Sequence, residues 1–211
     1  MPLPAAFLDR DGTLIREAEY VSSPDRVLLF PDAAPTIARL NALGIPVIVV
    51  TNQSGIARGY FTVEQYRAVE RRLDELLIER GARIDGTYFC PHHPDFTGPC
   101  ECRKPGVALF RLAAVEHDLD LSRSVYIGDR WRDAAPALAF GGRGIVVPIA
   151  TTAEEEIAAA RQYAELSDSL SDAVDRWLTG RDAAAHRGTS PDVSRGPDGA
   201  PVRFTPPHPA S

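Results

Sequence analysis

The sequence predicts an α/β fold in which a central parallel sheet is flanked by helices. Short apolar segments alternate with segments of helical periodicity, an order typical of right-handed β-α-β units. The 211 residues are 44% hydrophobic and 25% charged, which is ordinary for a soluble chain and ample for one buried core. We therefore assign residues 1–180 to one domain. From Arg181 onward the chain is rich in Pro, Gly, Ser and His, which predicts a disordered tail over residues 181–211.

The elements follow from local patterns. Asp32 can cap a first helix, which Gly44 is placed to end near residue 43. Thr62-Val63-Glu64-Gln65 has the spacing of a capping box and begins a helix to about Arg80. Apolar runs between turn residues predict strands over 5–8, 45–50, 84–89, 124–127 and 144–147. Two further helices are predicted over 107–117 and 131–140.

Charge and hydropathy exclude several classes of function. The net charge of −6 argues against a broad surface for nucleic acid or acidic membranes. No apolar run could span a bilayer, and the N-terminus lacks the basic-then-apolar pattern of a secretory signal, so we expect a cytoplasmic protein. Nothing suggests an exposed apolar stripe, and a monomer is expected.

Two aspartates leave the first predicted strand, in Phe7-Leu-Asp-Arg-Asp-Gly-Thr13. Their spacing lets both carboxylates face one pocket, where Asp9 can attack phosphorus as a nucleophile. Asp11 can protonate the leaving oxygen and later activate water. A bare Asp-x-Asp is more often a turn or a helix cap. The preceding strand and the following Gly-Thr-Leu favour the catalytic interpretation.

Three more polar segments begin at predicted strand ends or beside a cysteine-rich loop. Thr51 offers a hydroxyl to phosphoryl oxygens, and Arg103 with Lys104 can neutralise a phosphate. Asp129 is a hard oxygen ligand of the kind that suits Mg²⁺. Asp133 could hold a metal-bound water, orient a basic side chain, or cap the next helix.

All three cysteines lie within residues 90–102. Three thiolates and one imidazole make a closed tetrahedral zinc site, which we interpret as structural because no ligand position is left for water. Buried free cysteines, or a redox pair, are the alternatives, and neither needs a histidine. The candidate ligands are Cys90, Cys100, Cys102 and either His92 or His93.

Taken in order, the four polar segments resemble the motifs of the haloacid dehalogenase superfamily from about Ala5 to Val147. The resemblance implies a Rossmann-like three-layer fold with Asp9 as nucleophile and Asp11 as acid/base. It also implies catalytic Mg²⁺ held by the Asp9 side chain, the Asp11 backbone carbonyl and Asp129. The zinc-binding loop, without a large cap domain, resembles one branch of the family, in which the histidine two after the first cysteine, His92, is the ligand.

That branch includes heptose bisphosphate and histidinol-phosphate phosphatases. The stretch from Thr51 to Thr62 and the pair Tyr20-Val21 resemble the heptose group, whereas histidinol phosphatases tend to carry Asp-Gly in place of Ser54-Gly55. The resemblance implies hydrolysis of the 7-phosphate of a heptose 1,7-bisphosphate through an aspartyl-phosphate. A histidinol-phosphate or broader sugar phosphatase is the alternative, and a zinc-stabilised binding protein without catalysis is a rival of another class.

The heptose enzymes usually carry Lys where this chain has Arg130, which keeps the charge but replaces a point charge with a planar fork. The partner implied by the resemblance is a small phosphorylated sugar. The residues implied to contact it are Arg10, Glu17, Ala18, Glu19, Tyr20, Asn52, Gln53, Ser54, Arg103 and Arg130.

Overall fold

The structure is a computed structural model that describes residues 1–16 and 20–185, with side-chain environments up to residue 180. The chain divides into two compact units, Met1–Trp177 and Leu178–Ser211. The described part of the second unit is the end of the last helix, which continues to Ala185. The predicted tail therefore begins inside a helix, and its residues from 186 onward lie outside the described part of the chain.

Six strands and eight helices are found among the described residues, together with 3-10 turns at Pro24–Arg26 and Leu121–Arg123. The strands are β1 Ala6–Leu8, β2 Val47–Asn52, β3 Gly86–Cys90, β4 Val125–Gly128, β5 Arg143–Val146 and β6 Glu165–Leu166. The helices are α1 Ala33–Ala42, α2 Val63–Ile78, α3 Pro94–Thr97, α4 Ala108–His117, α5 Trp131–Ala134, α6 Pro136–Phe140, α7 Glu154–Tyr163 and α8 Leu170–Ala185.

The sheet is parallel throughout, in the order β3-β2-β1-β4-β5-β6. The predicted parallel sheet with flanking helices is confirmed. The chain first builds outward from β1 through β2 to β3 and then returns to the other side of β1 with β4. Strand order therefore reverses at β1, and such a reversal opens a crevice at the carboxyl ends of the strands. The segments after β1, β2 and β4 meet there.

The core beneath this crevice is aromatic and rigid. Phe7 stacks on Tyr126 of the neighbouring strand with ring centroids 5.1 Å apart, and Phe110 of α4 meets Phe7 edge-on at 5.3 Å. All three side chains are at most 1% exposed. Such packing fixes the β1 and β4 ends relative to each other, and it thereby fixes the polar residues that follow them.

Several local predictions hold and others are wrong. The capping box of α2 is confirmed, since Thr62 Oγ1 accepts from Gln65 N and Gln65 Oε1 accepts from Thr62 N. Asp32 occupies the N-cap position of α1 but makes no cap hydrogen bond there; its carboxylate accepts from Ser171 N instead. The single helix predicted over 131–140 is two helices, because Pro136 has no N–H to continue the ladder.

The strand predicted over 45–50 starts and ends two residues later, because the Ile45 N–H bonds back to Leu40 O at the end of α1. Thr51 and Asn52 instead extend β2 and pair with Phe89 and Cys90 of β3. The sequence patterns did not predict β6 or the helices α3, α7 and α8. None of the described helices is both long enough and apolar enough to cross a membrane.

Candidate active site

A buried lysine joins two carboxylates at the carboxyl end of the sheet. Lys104 Nζ lies 2.6 Å from Asp9 Oδ1 and 2.8 Å from Asp133 Oδ1, and it also donates to Val50 O at 2.5 Å. Lys104 is 3% exposed. Burial alone would lower the pKa of this ammonium, but the charges of Asp133 and Asp9 raise it, so it stays charged. The lysine thus neutralises part of a dense negative cluster.

Asp129 follows β4 and completes a cluster of three carboxylates. Ligand oxygens of Asp9, Asp129 and Asp133 all lie within 4.8 Å of one another, and Asp129 Oδ2 is buried without a hydrogen-bond partner. Gly12, at φ +86°, leaves the space for this carboxylate, because a Cβ there would lie 2.8 Å from Asp129 Cγ. Burial raises the pKa of Asp9 to about 6 and that of Asp129 to about 8. Carboxylates this close and this buried fit a divalent cation.

The Asp11 carboxylate lies outside that cluster. Asp11 lines a cavity of about 560 Å³ that Asp9 and Asp133 also line. Arg10 Nε and Nη2 donate to its two oxygens at 3.1 and 3.0 Å, and Gln53 Nε2 donates to Oδ2 at 2.8 Å. The same Gln53 amide donates to Thr51 Oγ1 at 2.8 Å. Arg10 is 1% exposed and Gln53 is 4% exposed. These two predicted substrate contacts are therefore also the groups that hold Asp11.

Asn52 and Asp133 fix the lysine from two sides. Asn52 exchanges two hydrogen bonds with the backbone of Lys104, at 2.9 and 3.1 Å, and so holds the segment that carries the ammonium. Asp133 Oδ2 also accepts from Arg130 N at 3.1 Å at the start of α5. Asp133 therefore both orients a basic side chain and caps a helix, while it also belongs to the carboxylate cluster.

The cysteine loop folds into a compact knot. Its thiol and imidazole atoms lie close together: Cys102 Sγ is 3.1 Å from Cys90 Sγ, 3.4 Å from Cys100 Sγ and 3.2 Å from His92 Nδ1. A tetrahedral ion with bonds of about 2.3 Å to sulfur needs ligand atoms roughly 3.8 Å apart or slightly less. The cysteines are not joined by disulfides. The ring of His93 bonds elsewhere, which leaves His92 as the imidazole of the knot.

Three arginines line the cavity near the knot, namely Arg58, Arg103 and Arg132. Arg58 Nη2 lies 2.7 Å from His93 Nε2, and its guanidinium carbon is 5.1 Å above the Phe96 ring. Arg103 Nη1 donates to His92 O at 3.3 Å. Burial and then the charge of Arg132 lower the pKa of Arg103, with Arg58 adding to the effect. Arg132 and Arg58 are thus close enough to Arg103 to repel its charge.

Sequence reasoning identified Arg103 here but missed Arg58 and Arg132. Arg58 lies four residues after Ser54 in the loop that follows β2, and Arg132 lies inside the segment from Gly128 to Asp133. Both arginines lie in segments that sequence reasoning had already assigned to the site, and this position was the signal that could have identified them.

The other predicted substrate contacts are distributed around the same opening. Tyr20, Ser54 and Arg130 line the cavity with Asp9. Tyr20 is 40% exposed, and its ring packs edge-on against Tyr60 at 4.7 Å. Arg130 Nε lies 3.3 Å from Asp129 Oδ2. The remaining three predicted contacts lie outside the described residues: Glu17, Ala18 and Glu19.

Comparison with known proteins agrees with this geometry. A family model described as HAD-hydrolase-like matches residues 101–173. A D-glycero-β-D-manno-heptose-1,7-bisphosphate 7-phosphatase from Yersinia pestis is 40% identical over 175 residues, which is 79% of this chain and 93% of the relative. A protein of the same name from Mesorhizobium japonicum is 45% identical over 136 residues, 62% of this chain and 63% of that one.

Solved structures give the same assignment. A D,D-heptose 1,7-bisphosphate phosphatase from B. bronchiseptica, complexed with magnesium and phosphate, is 29% identical with a TM-score of 0.72, covering 85% of this chain and 99% of its own. A HAD-like phosphatase from Mesorhizobium loti is 36% identical with the same TM-score, covering 84% and 85%. The chain belongs to the HAD-like hydrolases, in the same family as the heptose-1,7-bisphosphate 7-phosphatases.

Proposed function

We propose that this protein hydrolyses the 7-phosphate of D-glycero-D-manno-heptose 1,7-bisphosphate through an aspartyl-phosphate intermediate. The observation that carries the proposal is the joint placement of Asp9, Lys104 and the carboxylate cluster at the strand-order reversal, below an opening lined by arginines. Family membership supports the reaction, and the arginines support a substrate with a second phosphate. Residues 1–180 form the phosphatase domain in this proposal, and we expect a monomer.

The chemistry runs in two displacements. An Asp9 oxygen attacks phosphorus, the bond from phosphorus to the sugar oxygen breaks, and the Asp11 carboxyl gives its proton to that leaving oxygen. Water then attacks the same phosphorus while Asp11 takes its proton, and the bond to Asp9 breaks to release inorganic phosphate. Lys104 and Thr51 stabilise the equatorial phosphoryl oxygens.

The carboxylate cluster fits Mg²⁺ by the chemistry of its donors. Asp129 presents a buried oxygen with no hydrogen-bond partner, directly opposite the turn that Gly12 makes possible. Asp9, Asp129 and the backbone carbonyl of Asp11 would hold the ion. When bound, Mg²⁺ would neutralise charge on the phosphoryl group, as hard cations do at phosphate sites.

The arginines near the opening form the subsite for the second phosphate. Neither Arg58 nor Arg103 has a carboxylate ion-pair partner within the described chain; each bonds instead to a histidine ring or a carbonyl of the cysteine loop. Cations that repel one another in the free protein gain most from binding a dianion. Histidinol phosphate has one phosphate and a cationic side chain, and it would fit this subsite poorly.

Replacing Arg58 with glutamine should therefore impair the bisphosphate selectively. We expect KM for heptose bisphosphate to rise about tenfold, the equivalent of one charge-assisted hydrogen bond. KM for the monophosphate ester p-nitrophenyl phosphate should change less than about threefold on the same reasoning. Steady-state kinetics with both esters measure the effect.

The matched control is Arg67→Gln, which removes an exposed arginine of α2 outside the cavity and should leave both KM values unchanged. Equal losses on the two esters in Arg58→Gln would contradict the assignment of Arg58 to the second phosphate.

The cysteine knot would hold a structural Zn²⁺ through Cys90, His92, Cys100 and Cys102, whose ligand atoms lie within 4.8 Å of one another, close enough to share one ion. The knot precedes Arg103 and Lys104 directly in the chain, and its backbone at His92 anchors the Arg103 side chain. Zinc would thus keep two cations of the site in place.

Removing this zinc should destabilise the protein. We expect a chelator, or the substitution Cys100→Ser, to remove one zinc per chain and to lower Tm by at least about 5 °C, roughly 2 kcal/mol for a domain of this size. Metal analysis and thermal scans measure both quantities. Recovery of Tm with Mg²⁺ instead of Zn²⁺ would count against a zinc knot.

A substrate panel tests the proposed function itself. Phosphate release from heptose 1,7-bisphosphate, histidinol phosphate and other sugar phosphates should be compared by kcat/KM with Mg²⁺ present, and heptose bisphosphate should dominate. Preference for histidinol phosphate would select the alternative phosphatase. Inactivity toward every ester would favour the non-catalytic binding protein.

A further inference from the structure

Arg10 occupies an unusual position for a residue between two catalytic aspartates. It is among the residues that line the cavity with Asp9 and Asp11, yet its side chain is only 1% exposed. Its guanidinium carbon lies 5.2 Å from the ring centroid of Tyr66, a residue of α2 with no exposed surface. An arginine buried in this way needs a specific partner to offset its desolvation.

That partner is the carboxylate of Asp11. Arg10 Nε donates to Oδ2 at 3.1 Å and Nη2 donates to Oδ1 at 3.0 Å, a two-point contact that fixes both the position and the plane of the carboxyl group. The backbone of Arg10 is also fixed, because its carbonyl accepts from Leu14 N at 2.9 Å and Ile15 N at 3.1 Å. Both ends of the arginine are therefore anchored.

Arg10 is not placed to bind substrate through the same fork. Nε and Nη2 already donate to the Asp11 carboxylate, and Nη1 is buried without a hydrogen-bond partner. Gln53 adds a third donor to Asp11 Oδ2, at 2.8 Å. When Asp11 carries a proton, one oxygen can still accept from Arg10 while the other donates to the leaving oxygen.

We infer that Arg10 is a positioning residue that aims the Asp11 carboxyl at the leaving-group oxygen, and not a substrate-binding residue. The inference rests on the proposed function, because it assumes that Asp11 transfers the proton. Tyr66 in turn holds the guanidinium plane from the side of α2. A misplaced acid should slow proton transfer and leave the attack of Asp9 on phosphorus intact.

Leaving-group chemistry separates this role from a structural one. A sugar alkoxide needs a proton to leave, whereas p-nitrophenolate leaves without one. In single-turnover reactions with enzyme in excess, Arg10→Met should release heptose phosphate about 100-fold more slowly than the unmodified protein. Release of p-nitrophenolate should slow less than about threefold, since it does not require the acid.

Two further variants keep the test decisive if Arg10→Met folds poorly. Arg10→Lys keeps the charge but has one donor nitrogen in place of the planar two-nitrogen fork, and should slow sugar release about tenfold with p-nitrophenolate release spared. Arg67→Gln, at an exposed arginine of α2 outside the cavity, is the control and should leave both rates unchanged. Equal slowing on the two esters, or no slowing on either, would overturn the inference.

Failure of the proposed function gives a different signature. The unmodified protein should yield an acid-stable phosphoprotein after rapid quenching with either ester, and Asp9→Asn should not. Absence of the phosphoprotein in the unmodified chain refutes the covalent mechanism, whatever Arg10 does. A different result is that the phosphoprotein forms while both Arg10 variants slow the release of sugar and of p-nitrophenolate equally or not at all. That result refutes only the positioning role of Arg10.

Discussion

Substituting Asp9 with asparagine should reduce turnover of every phosphate ester by about 10⁴-fold or more, the usual cost of deleting a nucleophile. The amide has nearly the same shape, but it cannot form the acyl phosphate and it is a weaker ligand for a cation. Burial raises the pKa of Asp9 to about 6 and the charge of Lys104 limits that rise, so the carboxylate is mostly ionised at pH 7 and available to attack. Phosphate release in the presence of Mg²⁺ measures the loss.

The fold should survive this change. Asp9 and Asp133 share one ammonium, so after Asp9→Asn the buried Lys104 remains paired at 2.8 Å. We expect Tm without Mg²⁺ to stay within about 2 °C of the unmodified protein or to rise, because a buried negative charge has been removed. Zinc content should be unchanged. Asp118→Asn, at an exposed site outside the cavity, is the control and should keep full activity. More than about 1% residual turnover in Asp9→Asn would exclude it as the nucleophile.

The backbone of the site was largely predictable from sequence because parallel sheets place functional residues at strand ends. Three of the four polar segments follow short apolar runs, and β1, β2 and β4 carry Asp9, Thr51 and Asp129 to one edge. The cysteine knot was predictable for a different reason, since its four candidate ligands are close together in the sequence. Sequence reasoning therefore identifies site residues when their chemical type is recognisable and they either follow neighbouring parallel strands or lie close together in the chain.

Contacts between side chains distant in sequence were not predictable. Lys104 pairs with Asp133, Asn52 bonds to the Lys104 backbone, and Arg58 contacts His93. Each of these contacts joins segments that are distant in the sequence. Arg10 shows the same limit at short range. An arginine between Asp9 and Asp11 suggests a phosphate ligand, yet the turn after β1 folds its side chain inward against Tyr66. Side-chain direction at a strand end depends on that turn, and the residue pattern alone does not determine it.

Asp129→Asn should abolish both the turnover that depends on Mg²⁺ and the rise in Tm that Mg²⁺ binding causes. Asp129 is 1% exposed, and Oδ2 has no hydrogen-bond partner, so a neutral amide there removes the main buried ligand charge. We expect turnover to fall at least about 10³-fold. In the unmodified protein, Mg²⁺ at about 100 times its Kd should raise Tm by roughly 5 °C or more, and in Asp129→Asn this rise should disappear. Asp118→Asn again serves as control and should retain both effects.

The pH dependence gives a second readout of the same residue. Burial raises the pKa of Asp129 to about 8 from an ordinary 3.8, so between these values the folded protein keeps a proton that the unfolded chain has lost. Without Mg²⁺, the contribution of Asp129 to the free energy of unfolding should therefore be most favourable below pH 4. It should be lost as pH rises toward 8. Mg²⁺ must displace the same proton, so its affinity should weaken as pH falls from 8 to 6. Asp129→Asn should flatten the dependence of Tm on pH, measured in zinc-loaded protein with and without Mg²⁺. Parallel curves for the two proteins would show that the buried carboxyl is not the group that exchanges its proton for the cation.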